Sequence, residues 1–191
     1  KSSFAFSYFI HWSIFFTVVG RLFAHLRVKE RGKPLYHRML WLATKSLVYI
    51  MVNVKKKIIN GDKEDFSKPA VIICNHQSSL DIVALMMLHP KILMFTNRRK
   101  WNAPYFGPVI RMADYFPAEE IENHLDKMKE RVGKGYSFLI FPEGTRSADG
   151  VIRRFHKGAF YLAEKLGVDI LPILIHGNDY TLHKKDLLLK D

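Results

Sequence analysis

The stretch Val71-Ile72-Ile73-Cys74-Asn75-His76-Gln77-Ser78-Ser79-Leu80-Asp81 decides how the chain folds. Its apolar start, Val71–Cys74, is mostly β-branched and reads as a buried strand. A short polar loop follows, and Ser78 or Ser79 suits the cap of a helix over Ser79–Leu88. A strand that runs through a loop into a helix opens a βα unit. The alternation continues downstream, with strands expected at Ile92–Thr96, Ser137–Phe141 and Ile170–Ile175. Helices are expected at Tyr105–Asp114, Ile121–Gly133 and Gly158–Leu166. Together these predict an α/β fold with a central, largely parallel sheet flanked by helices.

Within that frame His76 and Asp81 acquire a chemical meaning. On one regular helix their separation would rotate the chain by about 500°, which points the side chains apart. They meet only if His76 sits on the loop after the strand and Asp81 lies in the helix that follows. Asp81 then accepts from one imidazole nitrogen and leaves the other to take a proton, an arrangement suited to a general base. The bland alternative is a surface histidine with a helix N-terminal aspartate placed by the macrodipole. The carboxyl end of a strand, where α/β ligand sites form, favours the first reading.

Phe141-Pro142-Glu143-Gly144-Thr145-Arg146-Ser147 also ends an expected strand. Gly144 opens backbone conformations that let amides approach a ligand. Arg146 offers a forked donor for phosphate and Thr145 a hydroxyl. Glu143 is unusual in an anion site, where it either steadies Arg146 or bonds acceptor hydroxyls. The two segments together point to an enzyme that deprotonates a hydroxyl on a phosphate-bearing acceptor.

Upstream, Phe4–Gly20 is almost wholly apolar and aromatic, and Arg21, Arg27, Lys29, Arg31, Lys33 and Arg38 follow. The run is near the lower limit for crossing a bilayer, and an apolar segment with a basic flank reads as a membrane element. A short transmembrane helix, an interfacial helix and the end of a preceding membrane domain all fit. Gly32-Lys33-Pro34 reads as a break, after which Leu35–Met51 has helical spacing. The expected organisation is therefore residues 1–52 as membrane-associating helices and 53–191 as the α/β domain. The apolar start without methionine and the lysine-rich end fit a fragment of a longer chain.

The chain has 191 residues, enough for a domain with a proper core. Thirty Lys+Arg against 18 Asp+Glu give a formal net charge of +12, which favours an anionic partner. The single Cys74 excludes an intrachain disulfide and a cysteine metal cluster, and the histidines show no metal spacing. Ser78 and Ser79 lie in no Gly-x-Ser-x-Gly elbow, which leaves them as capping residues.

Asn75-His76-x-x-x-x-Asp81 and Phe141-Pro142-Glu143-Gly144-Thr145-Arg146 resemble the signature blocks of the glycerolipid acyltransferase superfamily, whose best-known members are lysophosphatidic acid acyltransferases. Arg98-Arg99-Lys100 with Ala103-Pro104-Tyr105-Phe106-Gly107 resembles its second block, and Ile170-Leu171-Pro172-Ile173 its fourth. The second block departs from many members at Trp101-Asn102. The resemblance implies that His76, oriented by Asp81, deprotonates the free hydroxyl of lysophosphatidic acid. That oxygen then attacks an acyl thioester on coenzyme A or acyl carrier protein, giving phosphatidic acid. It implies that Glu143, Gly144, Thr145 and Arg146 bind the glycerol phosphate, with Arg98 and Lys100 as helpers. No cofactor, metal or covalent acyl-enzyme is needed beyond the thioester co-substrate. The implied partners are membrane lipid and the acyl carrier, not nucleic acid, at the cytoplasmic face of the inner membrane. Two rivals remain: the same mechanism on another lysolipid or an acylated amino-acid lipid, and a basic lipid-binding module without catalysis.

Overall fold

A computed structural model describes residues 2–26, 29–51, 55–104, 106–147, 149 and 151–181. Two long helices, α1 (Ser2–His25) and α2 (Lys29–Ile50), come first. The order then runs β1 (Ala70–Cys74), α3 (Leu80–Met86), β2 (Ile92–Thr96), α4 (Arg98–Trp101), α5 (Phe106–Met112) and β3 (Phe116–Pro117). A short 3-10 turn, Ala118–Glu120, leads into α6 (Ile121–Gly133), β4 (Ser137–Ile140), α7 (Gly158–Leu166), β5 (Asp169–Ile173) and α8 (Asn178–Thr181). The strands form one sheet in the order β3-β2-β4-β1-β5, and every pairing is parallel. The expected α/β class with a parallel sheet is the observed one.

Alternation along the strands builds two layers, because successive side chains point to opposite faces. Val71, Leu93 and Phe138 pack with Met128 of α6 and Leu162 of α7. Their neighbours Ile72, Cys74, Met94 and Leu139 pack on the other face with Leu85 and Met86 of α3. Both faces are covered, which is why these strands are apolar without interruption.

The element boundaries differ from expectation where a side chain or a tertiary contact takes over. β5 ends at Ile173 because the ladder with β1 closes there. Beyond it the Ile175 amide donates to the Asn75 side chain at 2.8 Å rather than to a strand. β3 has only two residues, too few for a periodic pattern, and Pro117 lies on the sheet edge, where a missing N–H costs no ladder bond. Tyr105, the expected start of α5, lies outside the described residues.

The expected break at Gly32-Lys33-Pro34 is overturned: α2 runs through all three. A Cβ on Gly32 would lie 2.6 Å from the Phe23 ring, so this glycine lets the two helices close on each other. Lys33 is buried because its charge has partners. Its Nζ donates to Asp114 at 2.5 Å and to Glu30 at 2.6 Å. Arg131 of α6 reaches the same two acids, at 2.8 Å and 2.6 Å, and Lys127 approaches Asp114 at 3.4 Å. Asp114 is fully buried in a left-handed turn at φ 54°. The network fastens α2 to α6.

The helix pair packs on the α/β part at further points. Trp41 Nε1 donates to the Met87 carbonyl at 2.7 Å, and Phe16 and Tyr36 pack with Met112 of α5. Away from these contacts, Ile10, Ile14, Val18, Leu22 and Leu26 form an exposed apolar row at four-residue spacing along and just beyond α1. Among the described residues no helix is long and apolar enough to cross a membrane.

Candidate active site

In a parallel sheet every strand delivers its carboxyl end to the same edge. β1 lies between β4 and β5, so the loops after these three strands emerge side by side. This is where α/β folds build ligand sites.

After β1, His76 Nδ1 lies 2.9 Å from Asp81 Oδ2. A carboxylate only accepts, so Nδ1 carries the proton and Nε2 presents its lone pair. The same Asp81 oxygen accepts the amides of Gln77 at 2.7 Å and Ser78 at 2.8 Å. Its other oxygen accepts Asn178 Nδ2 at 2.8 Å. Asp81 is fully buried without a cationic side chain among these partners, and amide dipoles do the work a counter-ion would otherwise do. The imidazole stacks on Phe141, with ring centroids 3.9 Å apart and planes at 16°. That contact leaves the ring little freedom to rotate off Asp81.

The expected loop-then-helix placement of His76 and Asp81 is what the chain adopts, with Asp81 in the first turn of α3. Of the two serines expected to cap the helix, Ser79 makes no side-chain capping bond, and Ser78 Oγ accepts the Leu80 amide at 3.2 Å.

The loop after β4 grips the first. Glu143 Oε1 accepts the His76 amide at 2.8 Å and Oε2 accepts the Arg153 amide at 2.9 Å. The Ser147 amide returns to the His76 carbonyl at 2.7 Å. His76 is thus held at both its backbone N–H and its C=O by the neighbouring loop. Glu143 itself is only 4% exposed. Gly144 takes φ 69°, a conformation that favours glycine, and both it and Thr145 face solvent. Arg146 Nη1 donates to Ser79 Oγ at 2.8 Å, which brings the guanidinium across to the His76 loop.

Arg98 and Lys100 lie on α4 at the carboxyl end of β2, and both are exposed. Arg98 Nη1 pairs with Glu120 at 3.1 Å. The Asn97 side chain accepts the Lys100 amide at 2.8 Å and so caps this short helix. Burial first, and then the Asp81 charge, push the Cys74 thiol up to about 12, so it stays protonated beside the site.

Two asparagines complete the frame. Asn75 makes a reciprocal pair with the Ile175 backbone, at 2.9 Å from Nδ2 and 2.8 Å to Oδ1, and ties the β1 exit to the β5 exit. Asn178, on the loop side of α8, reaches Asp81 from almost a hundred residues away. Sequence reasoning missed Asn178 because no local pattern relates it to Asp81; only the β1–β5 pairing brings them together. Phe141 was read as the end of a strand, with no hint of its stacking role.

The arrangement sets an imidazole, tied through Nδ1 to a buried carboxylate, beside a glycine turn and a guanidinium. A structure of a 1-acyl-sn-glycerophosphate (LPA) acyltransferase, PlsC, from Thermotoga maritima matches with a TM-score of 0.72, covering 98% of this chain and 78% of that one at 19% identity. A chloroplastic 1-acyl-sn-glycerol-3-phosphate acyltransferase of Arabidopsis thaliana is 32% identical over 168 residues, which are 84% of this chain and 46% of that one. A 1-acyl-sn-glycerol-3-phosphate acyltransferase of Saccharomyces cerevisiae is 30% identical over 179 residues, 89% of this chain and 55% of that one. The chain therefore spans about half the length of these two relatives. The acyltransferase family model matches residues 47–176, which include both motif loops and all five strands of the sheet, and the chain belongs to the acyltransferase family.

Proposed function

We infer that the chain transfers an acyl group from a thioester to the free hydroxyl of lysophosphatidic acid, giving phosphatidic acid. The observation that carries this reading is the His76–Asp81 pair, with Nδ1 tied to a fully buried carboxylate at 2.9 Å and Nε2 left as acceptor. The names of the relatives support the acceptor.

Nε2 takes the proton of the acceptor hydroxyl as its oxygen bonds to the thioester carbonyl carbon. Asp81 stabilises the imidazolium that results. The tetrahedral intermediate collapses, the carbon–sulfur bond breaks, and the imidazolium returns its proton to the leaving thiolate. The products are an ester and a free thiol, and His76 is regenerated neutral. The donor is an acyl thioester of coenzyme A or acyl carrier protein. No step requires an acyl-enzyme.

Arg146, with the exposed Gly144 and Thr145, receives the acceptor phosphate. Glu143 serves the same site as a brace, since both its oxygens already accept backbone amides. Arg98 and Lys100 are outer helpers that add positive potential at the same sheet edge. The acceptor is a lipid, and the exposed apolar row of α1 together with the +12 charge supports work at an anionic membrane face, here assigned to the cytoplasmic side.

The test is an acyl-transfer assay with lysophosphatidic acid and both thioester donors. His76→Ala should lower transfer by about 10²–10⁴-fold, the usual share of general-base catalysis, with vesicle binding unchanged. Undiminished transfer in that variant would sink the proposed base. Arg146→Ala should raise KM for lysophosphatidic acid and leave an acceptor without phosphate unaffected.

A further inference from the structure

Residues 151–157 read Val-Ile-Arg-Arg-Phe-His-Lys, a run with no acid in which apolar and basic side chains are interspersed. All seven are exposed. Single exposed apolar residues on a surface need no explanation, but these are not scattered. Ile152 and Phe155, 49% and 38% exposed, meet Leu174, 73% exposed, at one place. They line the mouth of a cavity of about 220 Å³ whose floor is Ile73, Cys74 and Ile173, at the carboxyl ends of β1 and β5. The run is also held in position. The Arg153 amide is fixed on Glu143 at 2.9 Å and the His156 amide on the Pro142 carbonyl at 2.8 Å. Its apolar tips therefore keep a set place beside the His76 loop.

We propose that residues 151–157 with Leu174 form a second lipid-facing surface, separate from α1, whose occupant is the interface of an anionic bilayer. Ile152, Phe155 and Leu174 enter the boundary between headgroups and acyl chains, while Arg154 and Lys157 meet lipid phosphates. Interleaved apolar and basic side chains are what that boundary selects, since it offers hydrocarbon and negative charge within a few ångströms. Arg153 is the exception, because its guanidinium is paired with Asp149 at 2.5 Å. Charge favours the bilayer, because Arg154 and Lys157 match anionic headgroups while the mostly apolar recess beside them is open to the end of a lipid chain. The consequence is that the mouth of the site lies against the membrane, and an acceptor reaches His76 without crossing water. This rests on the membrane part of the proposed function and deepens it.

The test uses the protein's single, buried Cys74. A thiol introduced on the surface can be labelled selectively in the folded chain with an environment-sensitive fluorophore. Phe155→Cys reports on the proposed surface and Val18→Cys on the exposed row of α1. Each labelled protein is titrated with vesicles of phosphatidylcholine alone and of phosphatidylcholine with phosphatidylglycerol. On anionic vesicles both labels should shift to the blue and gain intensity. Arg154→Glu with Lys157→Glu should weaken binding to anionic vesicles by about tenfold or more and leave binding to neutral ones unchanged. A response from Val18→Cys without one from Phe155→Cys overturns the second surface and spares the membrane reading. Silence from both labels overturns both. A Phe155→Cys label that responds to an acidic acyl carrier protein but not to vesicles assigns the patch to a protein and overturns the proposal.

Discussion

Asp81 and Asp114 are both fully buried carboxylates, and they are neutralised in opposite ways. Asp114 is surrounded by Lys33, Arg131 and Lys127. Asp81 sees two backbone amides, an asparagine amide and one imidazole. A cage of fixed cations locks a carboxylate and its neighbours into one rigid unit, which suits a fastening between α2 and α6. Dipoles hold the charge in place without cancelling it, which is what the proposed role of Asp81, stabilising an imidazolium, requires. One site spends its charge on architecture, and the proposed function asks the other to keep it.

The comparison can be broken most sharply at Asp81. Asp81→Asn should lower kcat by about 10³–10⁴-fold, because an amide in its place favours the wrong imidazole tautomer. A loss under about tenfold in a steady-state assay would mean that Asp81 does not orient the base. Asp114→Ala should reverse the pattern. It leaves the buried Lys33 and Arg131 without their buried acid, while the Glu30 they share is largely exposed, and denaturant unfolding should show a loss of about 3–5 kcal/mol. The protein that remains folded should keep its kcat within about twofold, since the cluster touches no reacting group.

Asn178→Ala sharpens the contrast at a smaller scale, with an expected loss of about tenfold in kcat and little change in KM, the mark of a group that acts only in the transition state. The readout that separates positioning from mere support is kcat against stability: a loss in denaturant unfolding with kcat unchanged would reduce Asn178 to a structural role.

The smallest effect concerns Glu30, at the rim of the Asp114 network with a side chain 62% exposed. Burial works against its ionisation, but hydrogen bonds from Lys33 and Arg131 and their charges outweigh it and hold its carboxyl down at about 2. A carboxylate with a depressed folded value contributes stability above its ordinary range near 4.5 and loses that contribution as pH falls toward 2. Glu30→Gln should therefore be less stable than the parent at neutral pH, by about 1 kcal/mol or less given its exposure. The two melting curves should converge as the solution is acidified through that window. A gap that persists at low pH would show that the ion pairs are not its source.

Much of this was legible in the chain itself. Short, largely continuous apolar runs marked the four longer strands, and α6 and α7 begin and end where their patterning and flanking turns place them. His76 and Asp81 were legible because a five-residue spacing has chemical sense only across a loop-to-helix step. What escaped was long-range or against local rule. β3 is too short to carry a pattern, and α4 depends on one asparagine cap. Gly32 and Pro34 carry the local signature of a break, yet packing against Phe23 and the pairing of Lys33 override it. Glu143 read either as steadying Arg146 or as bonding the acceptor, and an acid in a glycine turn gives no hint that its oxygens accept the His76 and Arg153 amides. Asn178 needed the strand order itself.

The bonds from Glu143 to His76 and Arg153, and from Ser147 back to His76, bear on how such a protein can change. Neither loop owns its conformation. Grafting the histidine segment onto another βα unit would deliver a side chain without the clamp that sets its backbone. Exchanging the glutamate segment alone would release the histidine. The smallest portable unit of this site is therefore two crossovers of a sheet taken together, and the residues free to change without loosening the clamp are exposed ones between those anchors, such as Thr145.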